Sequence, residues 1–376
     1  MIKKWLSATH ICREPFLFFM SQTLAPFSCI YSPNIPELLK ELNCTLAIST
    51  YQAGKIVFIS AKDNTSLVQL GKTVQKPMGI AFDGSRLAIA GKSSVFVYSS
   101  APGLAEGYPR QPNTYDNLFM PRAQHFTGLI DVHDVMWVED KLMMVNTRCS
   151  CLAWLDNSFS FKSFWQPPFI TSLFPEDRCH LNGLAMQNGA PKYVSMFSDT
   201  NEAEGWRGKK RTTDGLIMDV ETNETITTHL AMPHSPRVIN GKLYVLQSAT
   251  GDISEVDINT GKLTSVRNLG RYLRGMAYYK GFLFVSFSKI REKSSAFSDL
   301  AIAQSSNEAG ISIIHFDSGN VVGEIKYQTS VEEIYDLQVL PFRRPGMVNF
   351  DQNEKDLAIS LPGFGVWGSL DEEEKK

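Results

Sequence analysis

The sequence carries almost no net charge. Its 37 Lys and Arg nearly cancel 39 Asp and Glu, leaving −2 at neutral pH, too weak a field to gather nucleic acid or an anionic membrane surface. It also lacks any apolar run of about 18 residues, the length a membrane helix needs. The longest N-terminal candidate, Pro15 to Tyr31, is broken by Ser21, Gln22, Pro26 and Ser28. Neither a nucleic-acid partner nor a membrane partner is expected. Lys3 and Lys4 ahead of Phe16 to Met20 faintly resemble an export signal, but Arg13 and Glu14 intervene and the apolar core is short, so the chain reads as cytoplasmic. Cysteine is scarce: six in 376 residues (Cys12, Cys29, Cys44, Cys149, Cys151, Cys179), expected as reduced thiols rather than a disulfide framework. GxSxG, HExxH, Walker and dinucleotide motifs are missing, and the enzyme classes built on them lose support.

What is present is a repeat. Apolar strands begin at Leu46, Leu87, Leu142, Tyr193, Leu243 and Leu283, at offsets of 41, 55, 51, 50 and 40 residues, close to the ~40–50 residues of a propeller blade. Each is followed by a second strand: KIVFIS, SVFVYS, CLAWLD, GLIMDV, ISEVDI and ISIIHF, rich in the β-branched and aromatic residues that suit a pleated surface. A further strand precedes the last five units (MGIAF, HDVMWV, NGLAM, SPRVI, RGMAYY), and the first unit has none. Glu333 to Leu340, strand-like and without a repeat of its own, supplies the missing partner. The expected fold is all-β, a six-bladed β-propeller with one-plus-three ring closure by a C-terminal strand, which leaves the ring without an open edge. An irregular β-sandwich would look similar over any short window. Residues 1–42 form an N-terminal extension with a short helix in Pro33 to Asn43, 43–341 the propeller, and 342–376 a tail ending in the charged run Asp371 to Lys376.

Loop lengths separate the two faces of such a ring. Hairpins between first and second strands are minimal, as at Asp83-Gly84 and Lys280-Gly281. The opposite face is assigned Ser99 to Ile130, Trp165 to His180, Ser198 to Asp214 and Ser288 to Gly310, long loops of the kind that carry function. The site is therefore placed at the channel mouth on that face. Its candidates sit where the innermost strands start. His133, Asp134, His234 and Arg274 are the catalytic set: His133 or His234 the base, Asp134 its orienter, Arg274 the clamp for an anionic group. His180, Asn182 and Glu333 line the mouth, while Trp206 and Arg207 in one loop and Arg291 in another are expected to close over a bound molecule. Each histidine alone is as readily a structural donor to a backbone carbonyl, and Arg274 has a structural alternative as partner of Asp134 or Glu333. A divalent metal is a candidate cofactor, with Cys149, Cys151 and Cys179-His180 on neighbouring loops, although buried thiols are the default there.

The stretches PEDRCHLNGLAM (Pro175 to Met186), GWR (Gly205 to Arg207), MPHSPRV (Met232 to Val238), RGMAY (Arg274 to Tyr278) and FVSFSKIRE (Phe284 to Glu292) resemble a bacterial family of conserved hypothetical proteins, from about Leu46 to Pro341. The resemblance carries no activity. It implies that Asp134, His180, Asn182, His234 and Arg274 belong to shared motifs, and Arg211 to Gly215 departs from the paired glycines expected there. More distantly the ring is similar to six-bladed propellers of the gluconolactonase, strictosidine-synthase and virginiamycin-lyase kinds, by fold analogy alone. Two functions remain in view: a propeller that binds a small polar or anionic molecule or a peptide side chain at its mouth, with hydrolase or lyase chemistry, or a non-catalytic module whose rim docks a protein partner.

Overall fold

A computed structural model describes residues 24–290, 297 and 300–368. The signal-like stretch and the charged run from Asp371 lie outside the described residues. Six antiparallel sheets follow one another around a ring, each built from four strands stacked from the channel outward. Blade 1 is the composite one: Leu337–Leu340 forms its inner strand, pairing Leu46 with Val339 and Ile48 with Leu337, while Thr45–Thr50, Lys55–Ala61 and Leu67–Thr73 complete it. The one-plus-three closure is thus present. The inner strands of blades 2 to 6 are Ile80–Phe82, Val132–Val138, Leu181–Gln187, Pro233–Ile239 and Tyr272–Tyr279, at the five positions expected from the repeat.

Each sheet is covered on both faces by its neighbours, which is why its middle strands read as unbroken apolar runs rather than alternating ones. All six residues of Thr45–Thr50 are buried. The core is accordingly six seams between blades rather than one centre. Ile56, Phe58, Ile80, Leu87 and Phe119 fill the seam of blades 1 and 2, and Ala185, Tyr193, Ile217, Leu243 and Val245 that of blades 4 and 5. Burying each such large side chain contributes on the order of 1.5–3 kcal/mol.

The segments flanking the repeat pack onto it. Ile35, Leu39 and Leu42 lie on one face of the helix Ile35–Leu42 and are buried in the seam of blades 6 and 1; Asn43, in the left-handed region at φ 51°, ends the helix. The strand Cys29–Tyr31 covers the outer edge of blade 6. Pro345–Met347 pairs in parallel with Asn117–Phe126 on the outer edge of blade 2. A hairpin, Ala358–Leu361 with Phe364–Trp367, packs on the short helix Pro102–Ala105, and Trp367 Nε1 donates to the Leu104 carbonyl at 2.9 Å. Two outer strands that would otherwise offer unpaired edges are covered in this way. Among the described residues no helix is long and apolar enough to cross a membrane.

One loop assignment needs correction. Only the last residues of Ser99 to Ile130, 127–130, belong to the long-loop face, as the connection from blade 2 to blade 3. The rest contains the fourth strand of blade 2, Asn117–Phe126, and its insertion lies in the third-to-fourth hairpin, on the same face as the minimal turns: the Ser100 N–H donates to the Ser85 carbonyl beside the Asp83-Gly84 turn. Trp165 to His180, Ser198 to Asp214 and the described ends of Ser288 to Gly310 share the opposite face.

Candidate functional site

The inner strands alternate in kind around the ring. At or just before the start of the inner strand, blades 2, 4 and 6 carry Met78-Gly79, Asn182-Gly183 and Arg274-Gly275, while blades 1, 3 and 5 carry Tyr335-Asp336, His133-Asp134 and His234-Ser235. The glycines let adjacent blades touch. A Cβ on Gly79 would stand 2.8 Å from Asp134 Cα, and one on Gly275 would stand 2.9 Å from Asp336 Cα, closer than real Cβ contacts allow. Each aspartate reaches onward to the next blade: Asp336 accepts the Ile80 N–H at 2.8 Å and Asp134 the Leu184 N–H at 3.1 Å. The result is a pseudo-threefold channel whose mouth carries Tyr335, His133 and His234 alternating with Met78, Asn182 and Arg274.

At the mouth the three expected histidines come together. His133 and His180 meet edge to face, with ring centroids 4.9 Å apart, and Phe197 links them to His234, its ring 4.4 Å from His180 and 5.2 Å from His234. His180 is oriented by a group absent from the expected set. Its Nδ1 lies 2.9 and 3.1 Å from the two oxygens of Asp177, which also accepts the Trp206 indole N–H at 2.9 Å. Asp177 and His180 sit on one turn, at φ 48° and 52°, and the carboxylate is 6% exposed. His133 donates through Nδ1 to the Asp131 carbonyl at 3.1 Å, and its Nε2 takes no hydrogen bond from the described residues. Burial holds His133 well below the usual histidine range, with His180 and Arg274 adding repulsion. It is a neutral imidazole with Nε2 as acceptor.

His234 has a different duty. Its Nδ1 contacts the Met232 carbonyl at 3.1 Å and Ser248 Oγ at 2.6 Å, and that hydroxyl donates to the Leu273 carbonyl. With the proton on Nδ1, the Nε2 lone pair accepts from Arg274 Nη1 at 3.2 Å. In this arrangement the one basic nitrogen of His234 is engaged by Arg274, so of the two histidines expected as a base only His133 has its acceptor nitrogen open. Arg274 is 5% exposed and lies over the Tyr335 ring at 4.1 Å. Its ion pair with Glu333 spans 3.9 Å, beyond hydrogen-bond contact. Arg274 Nε and the Tyr335 hydroxyl, both buried, find no partner among the described residues. Tyr272 also lines this side, its ring 6.3 Å from His234.

Asp134 is not a histidine orienter. It accepts from the Val135 and Leu184 N–H groups and pairs with Arg237 Nη1 at 3.2 Å. Arg237 stands in the channel between Asp134 and Asp336, its Nη2 4.0 Å from the latter. One guanidinium cannot neutralise two buried carboxylates: burial raises both, and at Asp336 the charge of Asp134 adds to burial and raises it to about 7. The expected lid also changes character. Trp206 is 2% exposed and packs 4.4 Å from His180, which makes it a fixed wall. Arg207 lies outside, stacked on Trp206 and paired with Glu204 at 3.0 Å. Asn182 faces inward, accepting from Ser195 Oγ at 2.7 Å with its amide nitrogen unpartnered. Arg291 lies outside the described residues.

The cysteines near the mouth are desolvated: burial raises Cys149 and pushes Cys151 and Cys179 up to about 12, which disfavours the thiolate a metal would need. Among the described residues no group of three or more His, Cys, Asp or Glu is arranged to hold a metal ion. Asp177, Tyr272, Tyr335 and Arg237 are the site groups the sequence reading missed. The signals were there in the three-residue step from Asp177 to His180 and in the alignment of Tyr335-Asp336 with His133-Asp134.

Fold and mouth together define a six-bladed propeller whose channel opens, among the described residues, on a cluster of imidazoles and phenols with the Arg274 guanidinium. The chain belongs to the family described as Domain of unknown function (DUF4915), which matches residues 33–348. No curated protein matches the chain. Among solved structures it is similar to a chain in the crystal structure of a nidogen/laminin complex, at 10% identity and a TM-score of 0.50 over 80% of this chain and 99% of that one. It is also similar to a protein of unknown function from Bacteroides caccae, at 9% identity and a TM-score of 0.49 over 79% of this chain and 99% of that one. Likeness to the first extends to the fold alone.

Proposed function

We propose that the channel mouth binds a small molecule through an anionic group, carboxylate or phosphate, and that its imidazoles serve proton transfer on that ligand. The observation that carries this reading is Arg274. A buried guanidinium keeps its charge and ordinarily engages its donors fully, yet this one has a neutral imidazole on Nη1, a carboxylate at 3.9 Å and an unpartnered Nε. An anion would complete it, in bidentate contact worth about 1.5–3 kcal/mol. His180, fixed by Asp177, and His133, with its acceptor nitrogen open, are the groups placed to take or return a proton; the buried Tyr335 hydroxyl is a neutral donor, since burial holds the phenol well above its usual range. This pattern suits acid–base chemistry of a hydrolase or lyase kind, because among the described residues the one Ser in contact with a histidine of the cluster, Ser248, spends its hydroxyl proton on the Leu273 carbonyl.

The test is calorimetric titration of acetate and inorganic phosphate into the wild type, Arg274→Gln and Arg274→Lys, with circular dichroism melts as the fold control. The reading expects roughly ten- to hundredfold weaker binding in the Gln variant and partial recovery in the Lys variant, which keeps charge but not the fork. Equal affinity in a folded Arg274→Gln protein would remove the anion site. Docking of a protein on the rim is the second reading, favoured by exposed Leu129, Leu173 and Phe174; it predicts that Arg274→Gln leaves partner binding intact.

A further inference from the structure

Six side chains at the mouth form a closed circuit of contacts. His180 meets His133 with ring centroids 4.9 Å apart, His133 meets Tyr335 at 5.1 Å, and the Arg274 guanidinium lies 4.1 Å over the Tyr335 ring. Arg274 Nη1 reaches His234 Nε2 at 3.2 Å, and Phe197 completes the circuit, 5.2 Å from His234 and 4.4 Å from His180. Hydrogen-bonding capacity is used unevenly around it. Both nitrogens of His234 are engaged. On three consecutive members, in contrast, two donors and an acceptor stand open. Arg274 Nε and the Tyr335 hydroxyl have no partner among the described residues, and His133 Nε2 is an acceptor that no described residue fills. With Nδ1 pinned to the Asp131 carbonyl, Nε2 faces away from its own backbone.

A ligand that satisfies these groups together must present oxygens to Arg274 and Tyr335 and a hydrogen to His133. Because Nη1 is spent on His234, the guanidinium keeps one edge of its fork, Nε with Nη2, which matches the two oxygens of a carboxylate. The hydrogen has to come from a neutral group. Burial first, then the charges of His180 and Arg274, hold His133 well below the usual histidine range, and surroundings that refuse a charge on the imidazole also refuse an ammonium against it. Resting on the anion site proposed above, we infer that the ligand is a hydroxy acid, its carboxylate held by Arg274 and Tyr335 and its hydroxyl donating to His133 Nε2. Tyr335 contacts both Arg274 and His133, so the hydroxyl stands on the carbon beside the carboxylate or on the next one. A site built around that hydroxyl discriminates against the acid that lacks it, because the buried acceptor would be left unpaired.

Four three-carbon acids test this: lactate, 3-hydroxypropanoate, propanoate and alanine. Each is titrated by calorimetry into the wild type and into His133→Phe, which keeps a ring against His180 and Tyr335 and removes the acceptor. In the wild type the better of the two hydroxy acids should bind about three- to tenfold more tightly than propanoate, and in His133→Phe that preference should vanish. Equal binding of propanoate and both hydroxy acids to the wild type overturns the hydroxy acid and leaves the anion site standing. Alanine binding as tightly as the better hydroxy acid overturns the choice of a hydroxyl over an ammonium. A preference that survives in a folded His133→Phe protein overturns the role of His133. Should circular dichroism show that variant unfolded, imidazole nitrogen resonances of the wild type decide: the hydroxy acid, unlike propanoate, must shift His133 Nε2, and an unmoved signal overturns the inference. If no acid binds, the anion site fails and the inference with it.

Discussion

Asp336→Asn probes the channel with a sign that differs from most buried-carboxylate substitutions. In the folded protein two carboxylates, Asp134 and Asp336, share the single guanidinium of Arg237, and burial with the neighbouring charge raises Asp336 to about 7. The unfolded value is about 3.9. The folded state therefore holds a proton that the unfolded state has released between those limits. By linkage, the stabilising contribution of that proton is full below about pH 4 and is lost as the pH rises through about 7. At about 1.4 kcal/mol per pH unit, the move from pH 5 to 8 costs the wild type about 3 kcal/mol from this group. Asn is nearly isosteric, keeps an oxygen for the Ile80 N–H and leaves Asp134 as an ordinary partner of Arg237; its amide nitrogen gives up the Leu337 N–H bond, a cost that does not vary with pH. The variant should lack this loss, so its stability relative to wild type should improve by about 3 kcal/mol between pH 5 and 8. Thermal melts or urea titrations of both proteins at several pH values read this directly. Parallel pH dependences for the two proteins would refute the shared-proton account.

Gly275→Ala places a methyl 2.7 Å from Leu337 N and 2.9 Å from Asp336 Cα; all near atoms are backbone of the closing strand, so the seam must open. A loss of about 3 kcal/mol or more is expected in thermal melts, and an unchanged midpoint would show the blades are not in contact there. The thiols of Cys151 and Cys179 should resist iodoacetamide at pH 8 in the native protein and react once it is unfolded, because burial pushes both up to about 12. Rapid native-state labelling of either, read by peptide mass spectrometry, would contradict that burial.

Period and composition made the ring legible because each blade must repeat its apolar strands to bury both sheet faces. All five free inner strands and the closing strand follow from that requirement. The fourth strand of blade 2 was hidden by Pro121, which reads as a loop signal yet is tolerated on an outer strand. Pro345–Met347 spans only three residues, too short for any periodic pattern. In the site, register alone brought His133, His180, His234 and Arg274 to one mouth. It could not assign partners. Asp134 and Asp177 are both acidic neighbours of a histidine in sequence, but a strand points successive side chains to opposite sides, whereas a turn at positive φ folds Asp177 back onto His180. Local backbone conformation, which period does not encode, decided which aspartate orients an imidazole.

The closing strand has a consequence for the order in which the protein matures on the ribosome. Asp336 bonds to Ser49, 287 residues earlier in the chain, so five blades and most of the first are synthesised before the ring can shut. Until then the arc presents an unpaired inner edge at Thr45–Thr50, and Arg237 faces Asp134 without its second carboxylate. Tyr335 and Glu333 arrive with that same strand. On the function proposed above, the mouth is complete only when the last blade contact forms, and a fragment ending before Leu337 is expected to bind no anion.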